Sequence, residues 1–156
     1  LVMMSGFEHV PTRADWRRAG PTERVAEALV EIAEDGSARR SLRARAISGM
    51  RHAPTPLVRQ FLKQAVENPT TLPLLRRKAA VSLGAVSRED ALLVLTPLLS
   101  ADDPFLREAV LRGIAEVPGK VATKTIKDHV ALEKTPSVRR TAQGLLAARS
   151  RKAARP

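Results

Sequence analysis

A short pattern recurs four times along the chain and constrains the fold more than any other feature of the sequence. It is built around an apolar residue followed by arginine and reads "RSLRARAISGM" from Arg40, "PLLRRKAAVSL" from Pro73, "PFLREAVLRGI" from Pro104 and "PSVRRTAQGLL" from Pro136. The copies are 33, 31 and 32 residues apart when they are aligned on one arginine in each, namely Arg43, Arg76, Arg107 and Arg139. A period of this length is typical of proteins in which one supersecondary unit stacks on the next.

Each copy of the pattern predicts an amphipathic helix. Apolar residues stand one before, three after and seven after the arginine, as Leu106, Val110 and Ile114 do around Arg107. These spacings fall on one side of an α-helix. In three copies a proline precedes the arginine by three residues, in the first helical turn, where its missing N–H costs nothing. We therefore interpret each copy as the second helix of a helical pair.

The segments between the copies predict the first helix of each pair. Apolar residues at helical spacing predict helices over 22–35, 55–68, 88–100 and 120–134, with Pro97 bending the third. The sequence shows neither the period-two alternation of strands nor a hairpin turn. It thus predicts an all-α domain over 22–150, made of hairpins at 22–52, 55–86, 88–117 and 119–150. Residues 1–21 would hold a short capping helix, with Thr12 and Asp15 in capping-box spacing, and 151–156 a basic tail.

The third unit, "VLTPLLSADDPFLREAVLRGIAEV" (94–117), resembles a HEAT-like repeat of the short bacterial type. In that type the first helix ends in Leu-Leu, an acidic loop follows, and the second helix opens with an apolar residue and arginine. "TLPLLRRKAAVSLGAV" (71–86) and "KTPSVRRTAQGLLAA" (134–148) resemble the same second helix, and the resemblance covers roughly 22–150. It implies a right-handed α–α superhelix, or solenoid, although the periodicity alone does not determine the hand. Similar proteins include scaffolds that bind a protein partner through a concave surface, chromophore-lyase chaperones and alkylpurine DNA glycosylases.

Composition narrows the classes of function. The 156 residues carry a formal charge of +11, which favours an acidic partner such as nucleic acid, an anionic membrane surface or an acidic protein. The chain has no cysteine, which excludes disulfides, thiolate zinc sites and cysteine nucleophiles. Neither a secretory signal nor a membrane-spanning stretch is visible, so we expect a cytoplasmic protein without membrane insertion.

Positive charge is concentrated in the predicted second helices, whose segments sum to +14, against −2 for the first helices. In HEAT-like solenoids the second helices line the concave face, so the resemblance implies a basic concave face here. The expected contacts with an acidic ligand, apart from the repeat arginines, are Arg39, Arg40, Arg45, Arg77, Lys78, Arg140, Arg149 and Arg151. We expect a protein as the partner, by the resemblance. Because a basic groove also suits the phosphate backbone of a nucleic-acid duplex, that ligand stays the alternative.

The repeat arginines and the single tryptophan have structural as well as functional interpretations. The arginines could form a ladder of phosphate contacts. Their fixed position in every repeat instead favours a role in the stacking interface, with acidic partners among Asp35, Glu67, Asp103 and Glu133. Trp16 is expected to pack over the open end of the first repeat, because tryptophan is usually largely buried.

No catalytic site is predicted. The three histidines, His9, His52 and His129, lack metal-ligand spacing, and no glycine-rich phosphate loop is present. One tryptophan and no tyrosine offer little surface for stacking an extruded base. The sequence therefore predicts no enzymatic activity, no cofactor, no metal and no small-molecule substrate.

Overall fold

The structure, a computed structural model, describes residues 12–20 and 22–154, and all regular elements within these ranges are helical. The α-helices in these ranges are α1 (Arg13–Arg18), α2 (Thr22–Glu34), α3 (Arg40–Gly49), α4 (Pro56–Glu67), α5 (Pro73–Ser87), α6 (Asp90–Leu95), α7 (Pro104–Glu116), α8 (Lys120–Leu132) and α9 (Pro136–Ala153). Short 3₁₀ turns follow α3 at Met50–His52 and α6 at Thr96–Ser100. The predicted all-α class is confirmed. The hand of the superhelix stays a prediction.

The repeated pattern forms the second helix of each pair, which is α3, α5, α7 or α9. In α7, Leu106, Val110 and Ile114 are buried, and the residues at the same three positions of α5 are buried as well. The prolines of three copies are the first residues of their helices, where no intrahelical donor is needed. The stripe of apolar side chains thus places each second helix against the core.

The first helices, α2, α4, α6 and α8, begin and end at identifiable signals. Thr55 caps α4, since its hydroxyl accepts a hydrogen bond from the N–H of Val58 at 3.3 Å. α6 ends at Leu95, and the chain continues as a 3₁₀ turn around Pro97, whose nitrogen cannot donate to an α-helical ladder. The α-helix thus gives way to a 3₁₀ turn at the position where the sequence predicts a bend.

Successive hairpins stack mainly through their second helices, which contact each other more extensively than the first helices do. The closest approach is between α5 and α7, where a Cβ atom at Gly84 would lie 1.9 Å from the carbonyl oxygen of Gly113. Between α3 and α5, the Ser82 hydroxyl donates to the carbonyl of Ile47 at 2.9 Å. The second helices therefore form the more closely packed layer of the stack.

The two ends of the stack differ. At the first repeat, α1 carries the expected capping box between Thr12 and Asp15, and Trp16 packs its ring against Gly49 and stacks on His52 with centroids 5.5 Å apart. This packing covers the end of the first repeat, as predicted for Trp16. At the other end, α9 runs through Ala153, into the segment predicted as a tail. Its last turn contains basic residues, which interact favourably with the negative end of the helix dipole.

Candidate binding surface

An ion pair spans the second repeat on the side of the second helices. Arg51 follows α3 in the first repeat, Glu116 ends α7 in the third, and Arg51 Nη2 lies 3.0 Å from Glu116 Oε2. Side chains two repeats apart therefore meet on this side of the stack. We call the exposed sides of α3, α5, α7 and α9, which the resemblance predicts to be concave, the inner surface.

In three of the four repeat arginines, Nε donates to a main-chain carbonyl. Arg43 Nε donates to Ala33 O at 2.8 Å, and Arg76 Nε donates to Val66 O at 2.8 Å. Arg139 Nε donates to Glu133 O at 2.9 Å. Each acceptor lies in the last turn of a first helix or directly after it, where carbonyls lack intrahelical partners and the helix dipole is negative. Each of these arginines thus ties its second helix to the end of the first helix in the same hairpin.

The acidic partners expected for these arginines differ from those found. The Asp35 carboxylate accepts from the N–H of Ser37, and that of Asp103 from the N–H of Phe105. Glu67 Oε1 lies 3.9 Å from Lys63 Nζ. Within the described ranges, Glu133 is the one expected carboxylate whose side chain is hydrogen-bonded to a repeat arginine, Arg107. The other three repeat arginines donate to main-chain carbonyls instead.

Arg107 differs from the other repeat arginines because its Nε donates to a buried carboxylate. Its Nε and Nη2 donate to the two carboxylate oxygens of Glu133 at 2.9 and 2.8 Å, and its Nη1 donates to Ala101 O at 2.8 Å. Glu133 is 2% exposed and also accepts hydrogen bonds from the N–H of Thr135 and from His129 Nε2, each at 2.8 Å. This network joins the third repeat to the fourth.

The hydrogen bonds from Arg107 hold the pKa of the Glu133 carboxyl well below its usual range, although burial acts in the opposite direction. The same hydrogen bonds raise the pKa of the Arg107 guanidinium. The ionised pair is therefore the stable state of this cluster.

Because the pKa of Glu133 is lower in the folded than in the unfolded chain, its contribution to stability is present above the unfolded value of about 4.3 and is lost as the pH falls below it. We expect the free energy of unfolding, measured with urea from about pH 7 to about pH 3, to fall more steeply for the wild type than for Glu133→Gln. If the free energy of unfolding fell equally with pH in the two proteins, Glu133 would not titrate in this way.

The predicted ligand contacts occupy defined places in the repeat. Arg77 and Arg140 stand one residue after the repeat arginine, and Arg45 and Lys78 stand two residues after it. Arg140, Lys78 and Arg151 are exposed, whereas Arg45 and Arg77 are half-buried. Arg39 is the N-cap residue of α3 and Arg40 its first residue, and both are exposed.

The guanidinium of Arg149 is hydrogen-bonded to the α7–α8 loop and its flanking helices. Its Nε donates to Thr123 Oγ1 at 2.9 Å, its Nη1 to Ala115 O and Val117 O at 2.7 and 2.8 Å, and its Nη2 to Gly119 O at 2.9 Å. A guanidinium has five N–H donors, and these bonds use nearly all of them. We therefore remove Arg149 from the predicted ligand contacts.

Two apolar side chains of the inner surface were not singled out from the sequence, and two carboxylates lie on the same surface. Phe105 is 63% exposed and Leu74 is 37% exposed, and both stand two residues before the repeat arginine. Arg77 lies over the Phe105 ring, 5.5 Å from its centroid. In the third repeat, Glu108 accepts from Arg112 Nη2 at 2.7 Å, and Glu116 is the partner of Arg51. Leu74 and Phe105 occupy the same position of the repeat, and this recurrence is the sequence signal that could have identified them.

Stacked helical hairpins with a continuous core place the protein in the class of α-helical solenoids. The family model described as HEAT repeats matches residues 60–147, which is more than half of the chain. The protein therefore belongs to the HEAT-repeat family, and the resemblance inferred from the sequence is confirmed. A comparison with curated proteins finds no significant match.

Members of this family are commonly scaffolds for protein interaction and are generally non-catalytic. Within the described part of the chain, no three potential ligand side chains are grouped around a metal position. Nor does any helix in 12–20 or 22–154 have the length and apolar character needed to cross a bilayer.

Proposed function

We propose that this protein is a non-catalytic scaffold whose inner surface binds an acidic segment of a partner protein. The observation that carries the proposal is the pattern of side chains on that surface. Arg77 lies over the exposed ring of Phe105. Lys78 and Arg140 are exposed on α5 and α9, the two second helices that pack against α7. A partner segment with carboxylates on either side of an apolar side chain would complement this arrangement.

The third repeat favours a protein over a nucleic-acid duplex. Glu108 occupies in α7 the position that Arg77 and Arg140 occupy in α5 and α9, and Glu116 lies further along the same helix. A phosphate backbone presents negative charge at regular intervals and would meet these two carboxylates. An exposed phenylalanine also suits an apolar side chain better than a row of phosphates.

Duplex binding remains the second candidate because the second helices carry most of the positive charge. Titrating a labelled generic duplex across a salt series tests it. A slope of log K against log salt of roughly −4 to −6 would indicate about five to seven neutralised phosphates and would favour the duplex.

The double substitution Arg77→Glu and Arg140→Glu should weaken binding of a labelled glutamate-rich peptide with a central phenylalanine by about tenfold or more, because attraction becomes repulsion at both flanks. Fluorescence anisotropy measures the affinity, and a thermal melt checks that the fold is retained.

The matched control is Arg24→Glu with Lys63→Glu, which changes the net charge by the same amount on the exposed sides of α2 and α4. This control should leave the affinity close to that of the wild type. Equal weakening by both pairs would show that only the total charge matters, and the inner surface would lose its assigned role.

A further inference from the structure

A cavity lies where the loop between α7 and α8 meets the end of α9. Its volume is about 760 Å³, within the range of small-molecule sites. Four lysines line it: Lys120, Lys124 and Lys127 from α8, and Lys152 from the last turn of α9. We propose that this cavity binds a small organic diphosphate.

The charge of the cavity supports an anionic ligand. Lys120, Lys124 and Lys127 follow each other at helical spacing along one side of α8, and all four lysines are exposed. Lys124 pairs with Asp128 at 2.5 Å, whereas Lys120, Lys127 and Lys152 form no ion pair within the part of the chain that the structure describes. Three lysines close together repel one another, and an anion placed between them removes this repulsion.

Apolar residues also line the cavity, and its wall is held in place. We call Ala115, Pro118 and Ala153, which line the cavity beside the lysines, its apolar floor. Glu116 lines the cavity too, and its carboxylate is paired with Arg51 at 3.0 Å. The carbonyls of Ala115, Val117 and Gly119 accept the hydrogen bonds from Arg149 described above, so the loop is tied to α9 at three points. The cavity is therefore shaped before a ligand arrives, which lowers the entropic cost of binding.

These features together define the class of ligand. Lysine ammonium groups are common phosphate binders, and a diphosphate carries roughly three negative charges near neutral pH, which matches three lysines without a carboxylate partner. The apolar floor suits a ligand whose other end is a hydrocarbon. An organic diphosphate has both parts, whereas an inorganic anion has only the first.

The probe is geranyl diphosphate, compared by calorimetry with inorganic pyrophosphate and with geraniol. We expect geranyl diphosphate to bind most tightly, pyrophosphate more weakly and geraniol not at all. Lys127→Glu with Lys152→Glu should weaken the binding of geranyl diphosphate by about tenfold or more, since two attractive charges become repulsive.

Two matched pairs separate this cavity from other basic surfaces. Arg24→Glu with Lys63→Glu, and Arg77→Glu with Arg140→Glu, change the net charge equally and lie outside the cavity. Both should bind geranyl diphosphate as the wild type does. The proposal is overturned if the wild type does not bind the probe, if all three pairs weaken binding equally, or if pyrophosphate binds as tightly as geranyl diphosphate.

Discussion

Replacing Arg107 with alanine should lower the free energy of unfolding by about 3–5 kcal/mol, the usual result of removing one partner from a buried ion pair. The substitution leaves the Glu133 carboxylate, 2% exposed, without the two hydrogen bonds that its guanidinium partner donates. The carbonyl of Ala101 also loses its donor. Since a whole domain is stable by only about 5–15 kcal/mol, a urea titration would show the loss clearly.

Arg112→Ala supplies the matched control in the same helix. Arg112 pairs with Glu108 at 2.7 Å, but its side chain is 52% exposed, and such exposed pairs contribute at most about 1 kcal/mol. Combining Arg107→Met with Glu133→Leu should recover part of the loss, because no charge is then left buried and unpaired. If Arg107→Ala were no more harmful than Arg112→Ala, the network around Glu133 would have no structural importance.

The sequence was sufficient for the parts of the fold that depend on local spacing. The apolar stripe around Arg107 determined the core-facing side of α7, and Pro97 determined where α6 gives way to a 3₁₀ turn. The capping box between Thr12 and Asp15 could be recognised from two residues three positions apart. All of these signals act within one or two helical turns, so one sequence suffices to find them.

The acceptors of the arginines could not be derived in the same way. Arg43 and Arg76 bond to carbonyls ten residues earlier, and a carbonyl is present at every residue, so the sequence does not mark the acceptor. The charge of Arg149 suggested a ligand contact. In the structure its guanidinium bonds to the loop between α7 and α8, and one acceptor, Gly119 O, lies 30 residues earlier in the sequence. Side-chain identity predicts what an arginine can bond to, and tertiary distance decides which partner it has.

The same limit applies to the candidate surfaces. Exposed basic residues such as Lys78 and Arg140 were identified from the charge of the second helices, and the structure leaves both exposed. Phe105 was interpreted as part of an amphipathic helix start, and its 63% exposure depends on how α5 and α7 pack. The lysines of the cavity come from α8 and α9, and only the packing of these helices brings them together.

Replacing Gly84 with alanine should lower the free energy of unfolding by about 3 kcal/mol or more, the upper part of the range for overpacked cores. The new Cβ would lie 1.9 Å from the carbonyl oxygen and 2.5 Å from the carbonyl carbon of Gly113, and these backbone atoms cannot rotate away as a side chain could. α5 and α7 would have to separate, weakening the most extensive contact between second helices.

Gly144→Ala in α9 is the control, since no atom lies within 4 Å of its added Cβ. Because alanine favours the helix over glycine, this control should raise the stability by about 0.5–1 kcal/mol. Urea unfolding of the two variants should therefore move in opposite directions, and a gain in stability for Gly84→Ala would contradict the close packing of α5 on α7.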